Sequence, residues 1–320
     1  MSELEGVVVS EVELLEKEAS SAKTDALRLE ELSRHPDSSV QLAVASNPNT
    51  SSAALEYLGR SRRLGLLRAL AKNPNTPSHL IERLARHRHD TVRQAVAESA
   101  QISETVALEL LDDDSVHVRS LLVERSGRFQ WNTVRLFERA AKDSSWYVRT
   151  AVAKSATASS ILEGLLDDVD SIVAACALRN RALAPAALTA KLESMFERFN
   201  LLDYWFDPSD IVRRRDLPAH WLERFSTHPI AMVRLCIVKN PNTSQAVLLR
   251  FADDHDVTVM MGMSTLPDLP EDFYLSFAKH AHPWVRSTLV KNPAVPKTVL
   301  ELLAHDQDPD TARKASKRLE

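Results

Sequence analysis

The stretch that decides the fold is LLRALAKNPNTPSHLIERL, from Leu66 to Leu84. It returns as VQLAVASNPNTSSAALEYL from Val40, VRQAVAESAQISETVALEL from Val92 and VRTAVAKSATASSILEGLL from Val148. It returns again as VRLCIVKNPNTSQAVLLRF from Val233 and VRSTLVKNPAVPKTVLELL from Val285. Counting each unit from its first apolar residue places anchors at 40, 66, 92, 118, 148, 173, 233, 259, 285 and 312, a usual step of 26. A degenerate unit falls near Asp207, because Pro218 precedes Val233 by 15 residues as Pro77 precedes Val92. Self-similarity at such a period is the signature of a stacked repeat.

Each unit reads as two short helices. The first carries apolar residues at the anchor, +4 and +5 with a small residue at +3, as in Val92, Ala95, Val96 and Ala97. Turns such as His-Pro at 35–36, 228–229 and 282–283 and Asp-Pro-Asp at 308–310 introduce it; Asp near the first turn and Pro at an early position favour initiation. It stops at Asn-Pro, at 47–48, 73–74, 240–241 and 292–293. The proline cannot continue the helix, and asparagine tolerates the left-handed conformation at a helix end. The second helix starts at Thr-Pro or Ser and buries positions near +14, +15 and +18, such as Leu80, Ile81 and Leu84. Those spacings share one helical face. One such pair cannot bury its apolar face alone, so the predicted fold is all-α, an α-solenoid of about ten to eleven two-helix repeats of about 26 residues. Residues 1–34 read as capping helices and a partial repeat, 35–192 as the first half of the array, 193–217 as a divergent or inserted segment, and 218–320 as the second half with its cap.

Composition narrows the function classes. The 320 residues carry a formal net charge of −4, with 44% hydrophobic and 26% charged residues, as in a folded globular protein. The six glycines form neither G-x-G-x-x-G nor G-x-x-x-x-G-K-[ST], which excludes the standard nucleotide cradles. Cys176 and Cys236 supply neither a disulfide framework nor the four ligands of a cysteine-only zinc or iron–sulfur site. The first residues lack a basic region followed by an apolar one, and no apolar run approaches a membrane span. The expectation is a cytoplasmic protein of bacterial type without cofactor or metal. The acidic balance argues against strong nonspecific nucleic-acid binding.

The pattern V-R-x-A-V-A-x-N-P-x-[TS]-P-x-x-L-x-x-L resembles that of the leucine-rich repeat variant family, which is akin to HEAT-type repeats. The resemblance covers about residues 35–320 with a gap around 193–206. It implies a curved stack of alternating helices, the shorter one sometimes in 3₁₀ form, and no enzyme activity. Some relatives carry a cysteine-rich iron–sulfur module, which two cysteines cannot build.

Register explains several tempting residues. Cys176 and Cys236 occupy the small +3 slot and read as core. His35, His87, His228 and His280 share slot −5 with Asp113, Asp143, Asp168 and Asp254, which suggests a polar turn ladder and not metal binding by the His87/His89 and His280/His282 pairs. Arg93, Arg119, Arg149, Arg234, Arg286 and Arg313 recur at +1, as an arginine ladder between turns would require. The run Asp112–Asp114 reads as a solvated turn, with divalent-cation binding as the sharper alternative.

Slot +6 is more informative. It holds Lys154, Arg179, Arg213, Lys239, Thr265, Lys291 and Arg318, six of these seven basic, after Ser46, Lys72, Glu98 and Glu124. Slot −1 lies two turns earlier on nearly the same face and holds Tyr147, Ile172, Phe206, Met232 and Trp284. The two columns would form a basic strip beside an aromatic and apolar one. The bland reading is staple packing at helix starts with solvated lysines. Ala190–Leu217 breaks the repeat and contains Phe196, Phe199, Tyr204, Trp205, Phe206 and the run Arg213, Arg214, Arg215; it reads either as aromatics filling a gap or as an insertion that binds. Trp131 has the same ambiguity.

The leading function is a non-catalytic scaffold or adaptor that binds a protein or peptide, an acidic one included, through Tyr147, Lys154, Arg179, Trp205, Phe206, Arg213, Arg214, Arg215, Met232, Lys239, Trp284 and Lys291. The alternative is nucleic-acid binding in the manner of HEAT-like DNA glycosylases, with Trp205, Trp221, Asp210 and Arg213–Arg215 in the contact roles. A third reading is an accessory subunit with a large exposed apolar face.

Overall fold

The computed structural model describes residues 10–198 and 207–320. Among these the chain forms twenty-three α-helices, one 3₁₀ turn at Ser126–Arg128 and no strand. It divides into two compact units, Met1–Leu183 and Ala184–Glu320. Each unit is a two-layer α-solenoid. In the first, the first helices (Glu11–Ser20, Ser38–Ser46, Leu64–Lys72, Asp90–Ala97, Val116–Arg125, Trp146–Ser155, Ser171–Arg179) pack on one another in order. The intervening second helices, such as Ser78–Ala85, form the other layer and touch each other less. In the second unit, Ser209–Val212, Ala231–Val238, Val257–Ser264, Pro283–Leu289 and Pro309–Leu319 are the first helices. The second helices are α-helical throughout the described residues, and the 3₁₀ form that the resemblance allows is confined to 126–128.

The expected core is in place. Val40, Val92, Val118, Val148, Val173, Val233, Val259 and Val285 are fully buried at the anchor, as are Val44, Leu70, Val96, Leu122, Val152, Ile237, Met263 and Leu289 at +4. Burial of such a side chain stabilises by about 1.5–3 kcal/mol each. The last anchor is Thr311, not residue 312: Thr311 and Ala315 are the buried residues of that helix. Arg313 therefore leaves slot +1, points outward and pairs with Asp310. Cys236 is buried as expected, whereas Cys176 is only half-buried.

The asparagine at +7 does something other than expected. Asn47 has φ −76° and ψ 126°, Asn73 φ −74° and ψ 130°; no described residue has positive φ. The side chain, and not a left-handed backbone, explains the residue. Asn73 Nδ2 donates to Ala45 O and Asn47 O at 2.8 Å each, both in the preceding repeat. Its Oδ1 accepts the Asn75 amide at 2.9 Å. Asn47 bonds in the same way to Ala19 O and Ser21 O, Asn240 to Val212 O and Arg214 O, and Asn292 to Ser264 O and Leu266 O. Helix ends leave carbonyls without partners. Here each buried asparagine supplies them from the next repeat. The bonds of Asn47 tie the end of Glu11–Ser20 to the following repeat in the same way. Thr50, Thr76 and Thr243 at +10 complete the turn, donating to the +4 carbonyls Val44 O, Leu70 O and Ile237 O at 2.5–2.6 Å. In the last repeat Arg318 stands at +7 and donates to Val290 O and Asn292 O, the same two positions.

A second column locks the opposite turns. Each +1 arginine forks onto the −5 aspartate of the following repeat: Arg93–Asp113, Arg119–Asp143, Arg149–Asp168, Arg234–Asp254 and Arg286–Asp306, with shortest distances of 2.5–2.7 Å. Its Nη1 donates back to the −5 carbonyl of its own repeat, as Arg119 does to Asp113 O at 2.7 Å. The same −5 carboxylate accepts the −3 amide of its own turn, as Asp168 does from Asp170 at 2.9 Å. Histidine at −5 makes that intra-turn bond through Nδ1: His35, His87, His228 and His280 accept from residues 37, 89, 230 and 282 at 3.0–3.2 Å. The +1 residue of the preceding repeat is then apolar: Leu15 precedes His35, Leu67 His87, Pro208 His228 and Met260 His280. The His/Asp slot is therefore a structural turn ladder, and no group of three ligand-type residues that could hold a metal occurs among the described residues.

Two outcomes test these columns. Asn73→Ala leaves two buried carbonyls without a donor, at about 1–3 kcal/mol each, so the urea midpoint falls by an amount equivalent to at least about 2 kcal/mol. The same change at exposed Ser46 leaves the midpoint unmoved. At the Arg149/Asp168 joint, where the side chains are 12% and 7% exposed, Arg149→Leu or Asp168→His alone strands a partner and costs about 3–5 kcal/mol. The double variant recreates the apolar–histidine joint found elsewhere and recovers most of that loss in a double-mutant cycle. The Arg149 guanidinium holds the Asp168 carboxyl below the usual range. That stability is therefore present above about pH 4 and lost as pH falls through the lowered value. The double variant loses this part of the acid sensitivity, measured as thermal midpoint against pH.

Candidate functional site

On each first helix the anchor, +4 and +5 positions face the core, so −1 and +6 fall together on the solvent side. Tyr147, Ile172, Met232 and Trp284 are 45–62% exposed. Lys154, Arg179, Arg213, Arg215, Lys239 and Lys291 are exposed as well. The early part of the +6 column is neutralised within itself, because Lys72 pairs with Glu98 of the next repeat.

In the first unit Tyr147 belongs to an aromatic cluster. Its ring meets Trp146 edge-on at 5.7 Å and His117 at 6.3 Å. Trp146 is 44% exposed. Both neighbours escaped the sequence reading, although His117 occupies slot −1 of the preceding repeat and could have been found there.

The second unit brings four expected residues to one place. Arg213, Arg215, Met232 and Lys239 line a pocket of about 380 Å³, with Leu235 and Cys236 beside them. Arg213 Nε donates to Cys236 Sγ at 3.1 Å, Nη2 approaches Met232 Sδ at 3.6 Å, and Nη1 bonds Asp210 Oδ1 at 3.2 Å. Burial pushes the Cys236 thiol above its ordinary range, against the pull of Arg213. The pocket thus presents cations around a sulfur-rich, apolar floor. Chemically this suits a carboxylate or other anion with an apolar neighbour. Trp284 stands apart from this pocket's lining and packs its ring on His282 at 5.1 Å.

Other expected residues are placed differently. Arg214 is 4% exposed and lies at +7, the slot asparagine fills elsewhere, with its guanidinium on Asp216 at 2.8 and 3.0 Å. It belongs to the interior and not to a binding face. Trp221 is fully buried, with the Arg224 guanidinium 4.8 Å from its ring, and Phe196 packs on Trp221 and Phe225. That removes Trp221 from any surface contact role. Trp131 Nε1 donates to Ile102 O at 3.0 Å, a bond between repeats. In the acidic run, Asp112 holds Arg139 and Asp113 holds Arg93, so arginines take the place of the cation considered above. Trp205 and Phe206 lie outside the described residues, as do Phe199 and Tyr204.

No helix among the described residues is long and apolar enough to cross a membrane. Residues 39–100 match the family model of the leucine-rich repeat variant domain. A solved structure described as a leucine-rich repeat variant with a novel repetitive structural motif is 20% identical, with TM-score 0.51, over 76% of this chain and 87% of that one. The Escherichia coli protein YibA is 16% identical with TM-score 0.30 over 97% of each chain. A designed armadillo repeat protein is 13% identical with TM-score 0.11, over 97% of this chain and 93% of that one. The last two superpose too loosely to bear on the fold. No protein of curated function matches the chain. The match over residues 39–100 identifies that stretch as leucine-rich repeat variant repeats, and the register with its two ladders carries the same two-helix unit along the described residues of both units.

Proposed function

We propose that the chain is a non-catalytic scaffold or adaptor that holds a protein or peptide partner on the exposed face of its first helices. The observation that carries this reading is the pocket in the second unit, where Arg213, Arg215 and Lys239 surround Met232 and Cys236. An acidic side chain next to an apolar anchor satisfies both parts of that pocket. Tyr147 with Trp146 and His117 in the first unit, and Trp284 in the second, are exposed aromatics of the kind that anchor interfaces. Lys154, Arg179 and Lys291 would contribute steering charge at the rim more than affinity. The histidines at −5 each accept a backbone amide in their own turn, which gives them a folding role in place of a chemical one. Nucleic-acid binding is less favoured, since two of the groups it would use, Arg214 and Trp221, are buried.

The test is selection of displayed random peptides on the full chain in nuclease-treated buffer. Enriched peptides are expected to place Asp or Glu beside an aromatic or aliphatic residue. Their Kd should rise about tenfold or more in Arg215→Glu/Lys239→Glu, a change of about 1.4 kcal/mol or more, while circular dichroism and melting stay unchanged. Peptides that ignore this variant would move the site elsewhere. A steep salt dependence with recovered nucleic acid would favour the other class of partner.

A further inference from the structure

Five joints between neighbouring turns close on an arginine–aspartate fork, and in four the register pairs an apolar +1 residue with a −5 histidine. The joint between Gln41 at +1 and Ser61 at −5 does neither. Gln41 Nε2 donates to His35 O at 2.9 Å, the bond an arginine Nη1 makes elsewhere. Ser61 Oγ accepts the Arg63 amide at 3.2 Å, the intra-turn bond of a −5 residue. The carboxylate that should join them is missing. In its place the chain brings arginines: Arg63 Nη1 reaches the Gln41 amide oxygen at 3.2 Å, and Arg60 and Arg62 are exposed beside it.

Two pockets open at this place. One of about 450 Å³ is lined by Gln41, Tyr57, Arg60, Ser61, Arg62 and Arg63, with Leu58 and Leu66. The next, of about 460 Å³, shares Ser61 and Arg62 and adds Arg83, Arg88, His87 and His89 around Leu67 and Leu84. No carboxylate lines either pocket. None of Arg60, Arg62, Arg63, Arg83 and Arg88 has a carboxylate partner among the described residues, although most other arginines of the first unit do. Tyr57, 42% exposed under the Arg34 guanidinium, supplies an apolar wall.

We infer that these adjoining pockets bind an acidic peptide segment of a partner protein, its Asp or Glu carboxylates taking the place of the missing −5 aspartate. The molecule's own forks show which group this framework pairs with arginine, and the guanidinium fork matches a carboxylate in both number and direction of bonds. The net charge of −4 disfavours a long polyanion, whose every phosphate would meet the field of the whole molecule, while a short carboxylate segment meets only the local cations. This site is distinct from the pocket at Arg213, Arg215 and Lys239.

The experiment is fluorescence anisotropy of the full chain with a short fluorescein-labelled peptide alternating glutamate and alanine. Saturable binding is expected, weakened at least about tenfold in Arg62→Ser/Arg63→Ser/Arg88→Ser. Ser61→Asp puts the absent carboxylate back and should weaken binding comparably with no loss in melting temperature, which separates occupancy of the site from unfolding. All arms are run in the Arg215→Glu/Lys239→Glu background, so that the second unit's pocket does not contribute to the reading. The inference is overturned if, in that background, the triple variant or Ser61→Asp binds as tightly as the parent chain. It is also overturned if the parent of that background binds no peptide, or if a single-stranded oligonucleotide of equal charge binds more tightly than the peptide and depends on the same arginines. Displacement of the peptide by inorganic phosphate at matched concentration would assign the site to free phosphate instead.

Discussion

Every repeat must end a helix inside the protein and turn the chain without exposing the carbonyls left behind. This constraint governs the rest of the structure. The solution at Asn47, Asn73, Asn240 and Asn292 is a buried side-chain amide that donates two bonds to the previous repeat and accepts one from its own turn, and the half-buried Asn180 makes the same three bonds. Three demands on one residue leave few substitutes. Aspartate has no donor, leucine satisfies nothing, and glutamine is a methylene too long for the same turn. Arginine at Arg318 succeeds because it brings donors enough for two carbonyls. The proline that follows is a consequence: once the asparagine is extended, the next residue carries no amide that needs a helical partner.

The joints on the other side of the stack follow a pairwise rule. A charge at +1 is met by a charge at −5 of the next repeat, and an apolar residue by histidine. A charged residue facing the wrong partner would be left partly buried without compensation, which costs far more than either matched joint. Neighbouring repeats are therefore not interchangeable, although each looks like its fellows. The Arg-rich turn at 59–63 stands out against this rule: its framework is kept by Gln41 and Ser61, and its charge is not balanced.

Much of this was legible in the residues, and the parts that were not have a common cause. The period, the anchors and the buried faces follow from apolar spacing, which a sequence displays directly. The shared His/Asp slot and the recurring +1 arginine announced a ladder; the strict pairing between them emerges only when each repeat is aligned with its successor. The asparagine marks the helix end in the sequence, but its role there does not show. Backbone propensity is local, while the partners of Asn73 lie 26 and 28 residues away. A run of three arginines suggests a surface for Arg214; register places it at +7, one step inside the exposed column that Arg213 occupies. The last anchor slipped by one because Thr311, a buried hydroxyl residue, does not look like core. Trp146 and Tyr147 were separable only by register, and both prove exposed.

The same logic explains why function is hard to read in such a chain. The framework uses polar residues in bulk, so a conspicuous arginine, histidine or aspartate is most often explained by its neighbour one repeat away. What remains after those assignments is the charged residue that belongs to neither ladder. In the second unit that remainder is the group Arg213, Arg215 and Lys239 over a thiol and a thioether; in the first it is the arginine set at the joint that lacks its carboxylate. In both places the surface offers cations next to apolar walls. An occupant that supplies carboxylates on a partly apolar segment satisfies the two environments alike, and the repeat framework holds the cations in position because its helices are already fixed by bonds that the occupant does not touch.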